Sequence, residues 1–101
     1  MNPETRLRFF LGDELFASGK PVVVSIRIYN VLQQLVAVPT ALNHPEGNSV
    51  PVDVLEYTTS GLKEAFWDGL DVSGRKVASG VYYQQLVVNG ESTVRKMVVA
   101  K

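Results

Sequence analysis

Apolar residues in this chain fall on every second position in run after run between Leu7 and Val99, and no 3.6-residue period is sustained anywhere. A strand sends successive side chains to opposite faces, so this spacing confines the chain to strands with one buried face. Leu7, Phe9 and Leu11 alternate with Arg6, Arg8 and Phe10, and Gly12-Asp13-Glu14 closes the run. Val22, Val24, Ile26 and Ile28 are expected to face inward and Val23, Ser25, Arg27 and Tyr29 outward, which makes this the central strand. Residues 35–38 form a short third strand, stopped by Pro39, which has no N–H to give to a ladder. Val50, Val52 and Val54 alternate with Pro51, Asp53 and Leu55, and Pro51 assigns that run to a sheet edge. Residues 63–67, 81–88 and 93–99 complete the set, the last two joined across Asn89-Gly90, the residue types that accept the positive φ of a type I′ hairpin turn. Residues 13–17 have room for a single helical turn. About seven short strands separated by turn signals predict an all-β fold, an antiparallel β-sandwich with Trp67, Ile26, Ile28, Leu86 and Met97 in its core.

The stretch from Phe66 to Tyr83 carries the strongest turn chemistry. Gly69, Gly74 and Gly80 supply positive φ or close backbone approach, and the short side chains of Asp68, Asp71 and Ser73 hydrogen-bond turn backbone. Trp67, at the end of a strand, is read as a core anchor rather than a ligand platform, and Tyr82 as a core residue whose hydroxyl reaches backbone at the rim. This is a corner that builds the fold, and nothing in it is catalytic.

The same residues resemble a known module. The Trp67-Asp68-Gly69, Gly74 and Ser79-Gly80-Val81-Tyr82 pattern is similar to the core of the immunoglobulin-like domain of the flagellar hook-capping protein, and of C-terminal domains of secreted bacterial surface proteins, some of them type IX sorting domains. Asn2-Pro3-Glu4-Thr5-Arg6-Leu7-Arg8-Phe9, Val24-Ser25-Ile26-Arg27-Ile28-Tyr29-Asn30-Val31 and Arg95-Lys96-Met97-Val98-Val99-Ala100-Lys101 look like the family's opening, second strand and C-terminal end. The resemblance implies an immunoglobulin-like sandwich, a place in the periplasm or outside the cell, and a structural or assembly role. Two departures stand out. Leu32-Gln33-Gln34 replaces the family's Gly-containing turn, and residues 39–60 form an insertion where the family has a brief linker.

The chain of 101 residues fits one domain, residues 1–101. Lys and Arg number 10, as do Asp and Glu, so no net field draws in nucleic acid or an anionic membrane. With Cys at 0, disulfides and thiolate metal sites are excluded. No run approaches the roughly 20 apolar residues of a membrane-spanning helix, and no basic segment followed by an apolar one marks a signal peptide. His44, the only histidine, lies in a turn-forming run and reads as a solvated loop residue. Asp68, Asp71 and Ser73 lack the spacing of a calcium loop, and no nucleophile motif occurs. No enzyme activity, metal, cofactor, small-molecule ligand or nucleic acid is expected.

A protein partner is. The insertion sets this chain apart from the shared scaffold, so Leu42, Val52, Leu55 and Tyr57 are expected to supply apolar contacts, with His44 and Glu46 polar ones at the rim. Tyr29, Tyr57, Phe66 and Tyr83 are expected to face away from the core, where exposed aromatics serve interfaces. The alternative is an accessory module of a secreted enzyme, serving glycan binding or secretion sorting.

Overall fold

A computed structural model describes residues 5–47 and 49–100. Asn2-Pro3-Glu4 and Lys101, used in the resemblance above, lie outside them. The strands are β1 (Thr5–Leu11), β2 (Val22–Tyr29), β3 (Leu35–Ala37), β4 (Thr40–Leu42), β5 (Leu55–Tyr57), β6 (Gly61–Trp67), β7 (Gly80–Val88) and β8 (Glu91–Val99). A single 3-10 turn, Asp13–Phe16, fills the space allowed for one, and Ser60 Oγ donates to Asp13 Oδ1 beside it.

Two antiparallel sheets face each other. One has three strands in the order β1-β6-β4, and the other has five, β3-β2-β7-β8 with β5 also paired to β2. Leaving β5 aside, the chain order maps onto strands B, C, C′, D, E, F and G of an immunoglobulin-like sandwich, with B-E-D facing C′-C-F-G. The core forms between the sheets from Leu7, Phe9 and Leu11 on β1, Val22, Val24, Ile26 and Ile28 on β2, and Ala41, Ala65, Trp67, Tyr82 and Val99. Leu86 and Met97, placed in the core from sequence, pack against this cluster while only partly buried.

Trp67 and Tyr82 fix the corner. The Trp67 indole N–H donates to Leu70 O at 2.9 Å, and its ring meets Tyr82 edge-on with centroids 5.9 Å apart. The Tyr82 hydroxyl donates to Ala78 O at 2.7 Å, four residues upstream, which is the tyrosine corner of such sandwiches. Asp68 Oδ1 accepts from the Leu70 N–H, while Asp71 Oδ1 accepts from Ser73 N–H, Ser73 Oγ–H and Arg75 N–H. The Ser73 hydroxyl, followed by the Arg75 backbone N–H, lowers the Asp71 pKa, because hydrogen bonds to the carboxylate favour its charged form. Gly74 sits at φ 85°, and a Cβ there would meet nothing within 4 Å, so backbone angle and not packing requires glycine. Asn89 (φ 49°) and Gly90 (φ 87°) make the turn between β7 and β8 with two positive φ values, as a type I′ turn requires.

The insertion departs from expectation. The alternation predicts one edge strand over residues 50–55. Instead the insertion contributes β4 and β5, bringing the strands among the described residues to eight, and residues 50–54 form no strand of their own.

Candidate functional site

Residues 39–60 seal one margin of the sandwich. Ala41 N–H donates to Val50 O at 2.7 Å and Val52 N–H to Pro39 O at 2.9 Å, so residues 50–52 lie along the free side of β4. The Val52 carbonyl then accepts from Ile26 N–H at 2.9 Å, on β2 in the opposite sheet. One residue thus bonds to both layers, and its side chain is 0% exposed. β5 continues along the same side of β2, in the register Val22↔Tyr57, Val23↔Glu56, Val24↔Leu55. The Val54 N–H donates to Ser25 Oγ at 2.8 Å, and Arg27 Nη2 donates to Asp53 Oδ1 at 3.1 Å. Ser25, expected to point outward into solvent, is buried beneath this cover.

The seal corrects four expected contact residues. Val52, Leu55 and Tyr57 belong to the core cluster, and His44 is buried, so their side chains serve the fold and are not displayed to a partner. Tyr57 lies edge-on to both Phe9 and His44, with ring centroids 5.7 and 4.8 Å away. Its hydroxyl is buried without a hydrogen-bond partner among the described residues, and burial pushes its pKa up to about 12. The buried phenol pays desolvation whether or not it ionises, and more when it does.

His44 is a clasp, not a solvated loop residue. Its Nδ1 accepts from the Glu46 backbone N–H at 3.1 Å, and its Nε2 lies 2.7 Å from Glu56 O. A backbone N–H can only donate and a carbonyl can only accept, so Nδ1 acts as the acceptor and Nε2 as the donor. The histidine thereby ties the turn at the start of the insertion to β5. Glu46 is exposed beside it, and Leu42 is half-buried on β4.

Tyr29 and Tyr83 are brought together. They are direct cross-strand partners between β2 and β7, half-buried on the outer face of the five-stranded sheet. The Tyr29 hydroxyl donates to Gln85 Oε1 at 3.3 Å, and Gln85 Nε2 donates to Ser92 Oγ at 3.1 Å. With Asn30, Gln33, Gln85 and Val94 they line an open concavity of about 460 Å³. Tyr57 and Leu55 are not part of this group, and Leu42 belongs to the other sheet.

The opposite margin is unsealed. β8 ends its sheet, and among the described residues nothing pairs with its outer edge. Every residue from Glu91 to Lys96 is exposed, so both faces of the strand are wet there. The cause is the mismatch in width: β3 and β5 share one side of β2, so a sheet four strands wide faces one of three, the insertion closes the β4 and β2 side, and β8 overhangs. Val94 and Val98, on the outward face, are 64% and 71% exposed. Arg95 and Lys96 point to opposite faces and form no ion pair among the described residues. On β1, the edge strand of the other sheet, both arginines are engaged: Arg8 lies 3.2 Å and Arg6 3.9 Å from Glu64. Sequence reasoning missed the β8 edge, although two adjacent charges in mid-strand already mean that neither face is buried at that point.

Among the described residues no cluster of three or more His, Asp or Glu is arranged to hold a metal ion, and no helix is long and apolar enough to cross a membrane. The fold defines an all-β, two-sheet antiparallel sandwich. No known family, curated protein or solved structure matches the chain.

Proposed function

We propose that this domain is a non-catalytic assembly module of the cell envelope or extracellular space, docking on a larger protein through the β8 margin. The observation that carries this reading is the open β8 edge: nine residues, about 30 Å long, with unpaired backbone groups along its outer side and exposed valines beside them. Unpaired strand groups are adhesive, and adding a strand to such an edge is a recurrent way of binding an extended segment. The envelope assignment rests on the resemblance of the Trp67 to Tyr82 corner to hook-capping and secreted C-terminal domains. The docking site moves from the insertion, where the sequence put it, because Val52, Leu55 and Tyr57 are buried in the domain's own core.

The test is a photo-crosslinking amino acid placed singly at Val94, Val54 and Leu62 in the chain as its own cell makes it. All three side chains are exposed. A discrete adduct from position 94 and none from 54 is expected. Absence of any adduct from 94 would refute docking at this margin.

One observation favours a second reading, an accessory glycan-binding module. Tyr29 and Tyr83 stand side by side with the amides of Asn30, Gln33 and Gln85 around one concavity, the pairing of aromatic surface with hydrogen-bonding groups that sugar recognition uses. Retention on an immobilised oligosaccharide that is lost in Tyr29→Ala and Tyr83→Ala would establish it.

A further inference from the structure

We infer that the segment completing the β8 edge is an extended strand of a different polypeptide, carrying two consecutive acidic residues opposite Arg95 and Lys96. The inference rests on the docking reading and specifies its occupant. Consecutive residues of a strand point to opposite faces, and Arg95 and Lys96 do so at the middle of the nine-residue edge, with Arg95 across from Gln84 and Lys96 across from Tyr83. Neither cation has an acidic partner among the described residues, whereas Arg6, Arg8 and Arg27 each do. An added strand matching this edge needs one carboxylate above the sheet and one below it at the same point, which two adjacent Asp or Glu residues provide. Flanking β-branched residues in the added strand would lie beside Val94 and Val98.

Charge also bears on the competing occupant, a second copy of this chain. Antiparallel pairing of β8 with itself over its full length sets Arg95 directly opposite Arg95, and a shift by one pair toward the C-terminus sets Lys96 opposite Lys96. Like charges directly opposite destabilise a strand pair, and charged edge residues are a common guard against such self-association. The same two cations that oppose a copy attract an acidic strand, so one feature gives both affinity and discrimination.

The probe is a nine-residue synthetic peptide of alternating Thr and Val with Asp-Glu at its centre, set against the same peptide with Lys-Lys there. Backbone amide shifts and hydrogen exchange are followed along β8. The Asp-Glu peptide is expected to slow exchange along β8 and to bind about tenfold more tightly than the Lys-Lys peptide at low salt, a gap that narrows as salt rises. An Arg95→Glu/Lys96→Glu double variant, altered only at exposed positions, should reverse the preference at unchanged Tm. N-methylation of alternate peptide nitrogens should abolish binding. Equal binding of the two peptides, or no change at β8 with either, would overturn the acidic strand. Concentration-dependent dimers with protected β8 amides in the absence of peptide would overturn it in favour of a second copy. If both peptides fail while a crosslinker at Val94 still traps a partner, docking stands and only the chemistry assigned to the occupant falls.

Discussion

Residues 50–57 and β8 are both β-prone segments at a margin of the sandwich, yet they solve the problem of unpaired backbone in different ways. The first bonds to β4 through Ala41, to the preceding Pro39 carbonyl and to β2 through Ile26, and turns Val52, Leu55 and Tyr57 into the core. Among the described residues the second is bonded on one side only, and it exposes both faces over residues 91–96. The two margins therefore differ in this molecule: residues 39–60 complete the fold, and β8 is left with an open edge among the described residues. A turn-rich, β-prone segment can be consumed by its own domain when its backbone and apolar side chains have a nearby unfilled edge to satisfy.

Removing the seal should have the largest effect. Replacing residues 39–60 with a short Gly-containing turn removes Val52, Leu55 and Tyr57 from the core and leaves the β2 edge uncovered. We expect loss of cooperative unfolding, measured by calorimetry, since a domain of this size has only about 5–15 kcal/mol to lose. Retention of a sharp transition would show that the insertion is decoration. Val52→Ala isolates the staple itself and should cost about 2 kcal/mol in chemical denaturation, from lost transfer energy and the cavity left behind.

Tyr57→Phe should move stability the other way. Its hydroxyl is buried with no partner among the described residues, so its removal relieves a desolvation cost and should stabilise the domain by about 1 kcal/mol. The pH dependence follows from the raised pKa. An unfolded tyrosine ionises near pH 10, whereas folded Tyr57 holds its proton to about 12. Between these values the unfolded chain binds fewer protons, so its contribution to stability, fully present below about pH 10, is lost as pH rises toward 12. The alkaline fall in Tm should be shallower in Tyr57→Phe, and an unchanged slope would mean that the phenol is not buried as described.

The legible and illegible parts of this fold differ in their range along the chain. Inward Val22, Val24, Ile26 and Ile28, the Asn89-Gly90 hairpin and the Asp71 turn were readable because alternation and turn chemistry act locally. The orientation of Leu55 and Tyr57 was not, because Val54 adopts φ 49° and slips the alternation by one residue: Val52 faces in, Val54 is 66% exposed, and Leu55 and Tyr57 then face in. The burial of His44 depends on Glu56 and Tyr57, twelve or more residues away, and no local pattern encodes it. The open β8 edge depends on a difference in width between two sheets, although Arg95-Lys96 recorded its exposure.

Val54 also stores strain. A β-branched residue at positive φ crowds its own carbonyl, at a cost on the order of 1–2 kcal/mol, and the Ser25 hydroxyl that accepts its N–H helps to hold it. Val54→Asn, which tolerates this angle, should stabilise the domain by somewhat under about 1 kcal/mol in denaturant titration. A destabilised variant would show that the exposed Val54 side chain contributes packing that its exposure conceals.

Val94→Thr is the sharpest contrast with Val52→Ala, because both alter a valine in a β-prone segment at a margin. Val94 is 64% exposed where Val52 is fully enclosed, so little apolar area is lost on substitution, and threonine keeps the β-branch that suits a strand. The expected change in stability lies within about 0.5 kcal/mol, the usual range for a surface position. Its effect should appear only in docking, as slower formation of the adduct from a crosslinker at the neighbouring Val98, which shares the outward face. If Val94→Thr instead destabilises the domain as much as Val52→Ala, β8 is covered by something belonging to the protein itself, and the two margins are not different after all.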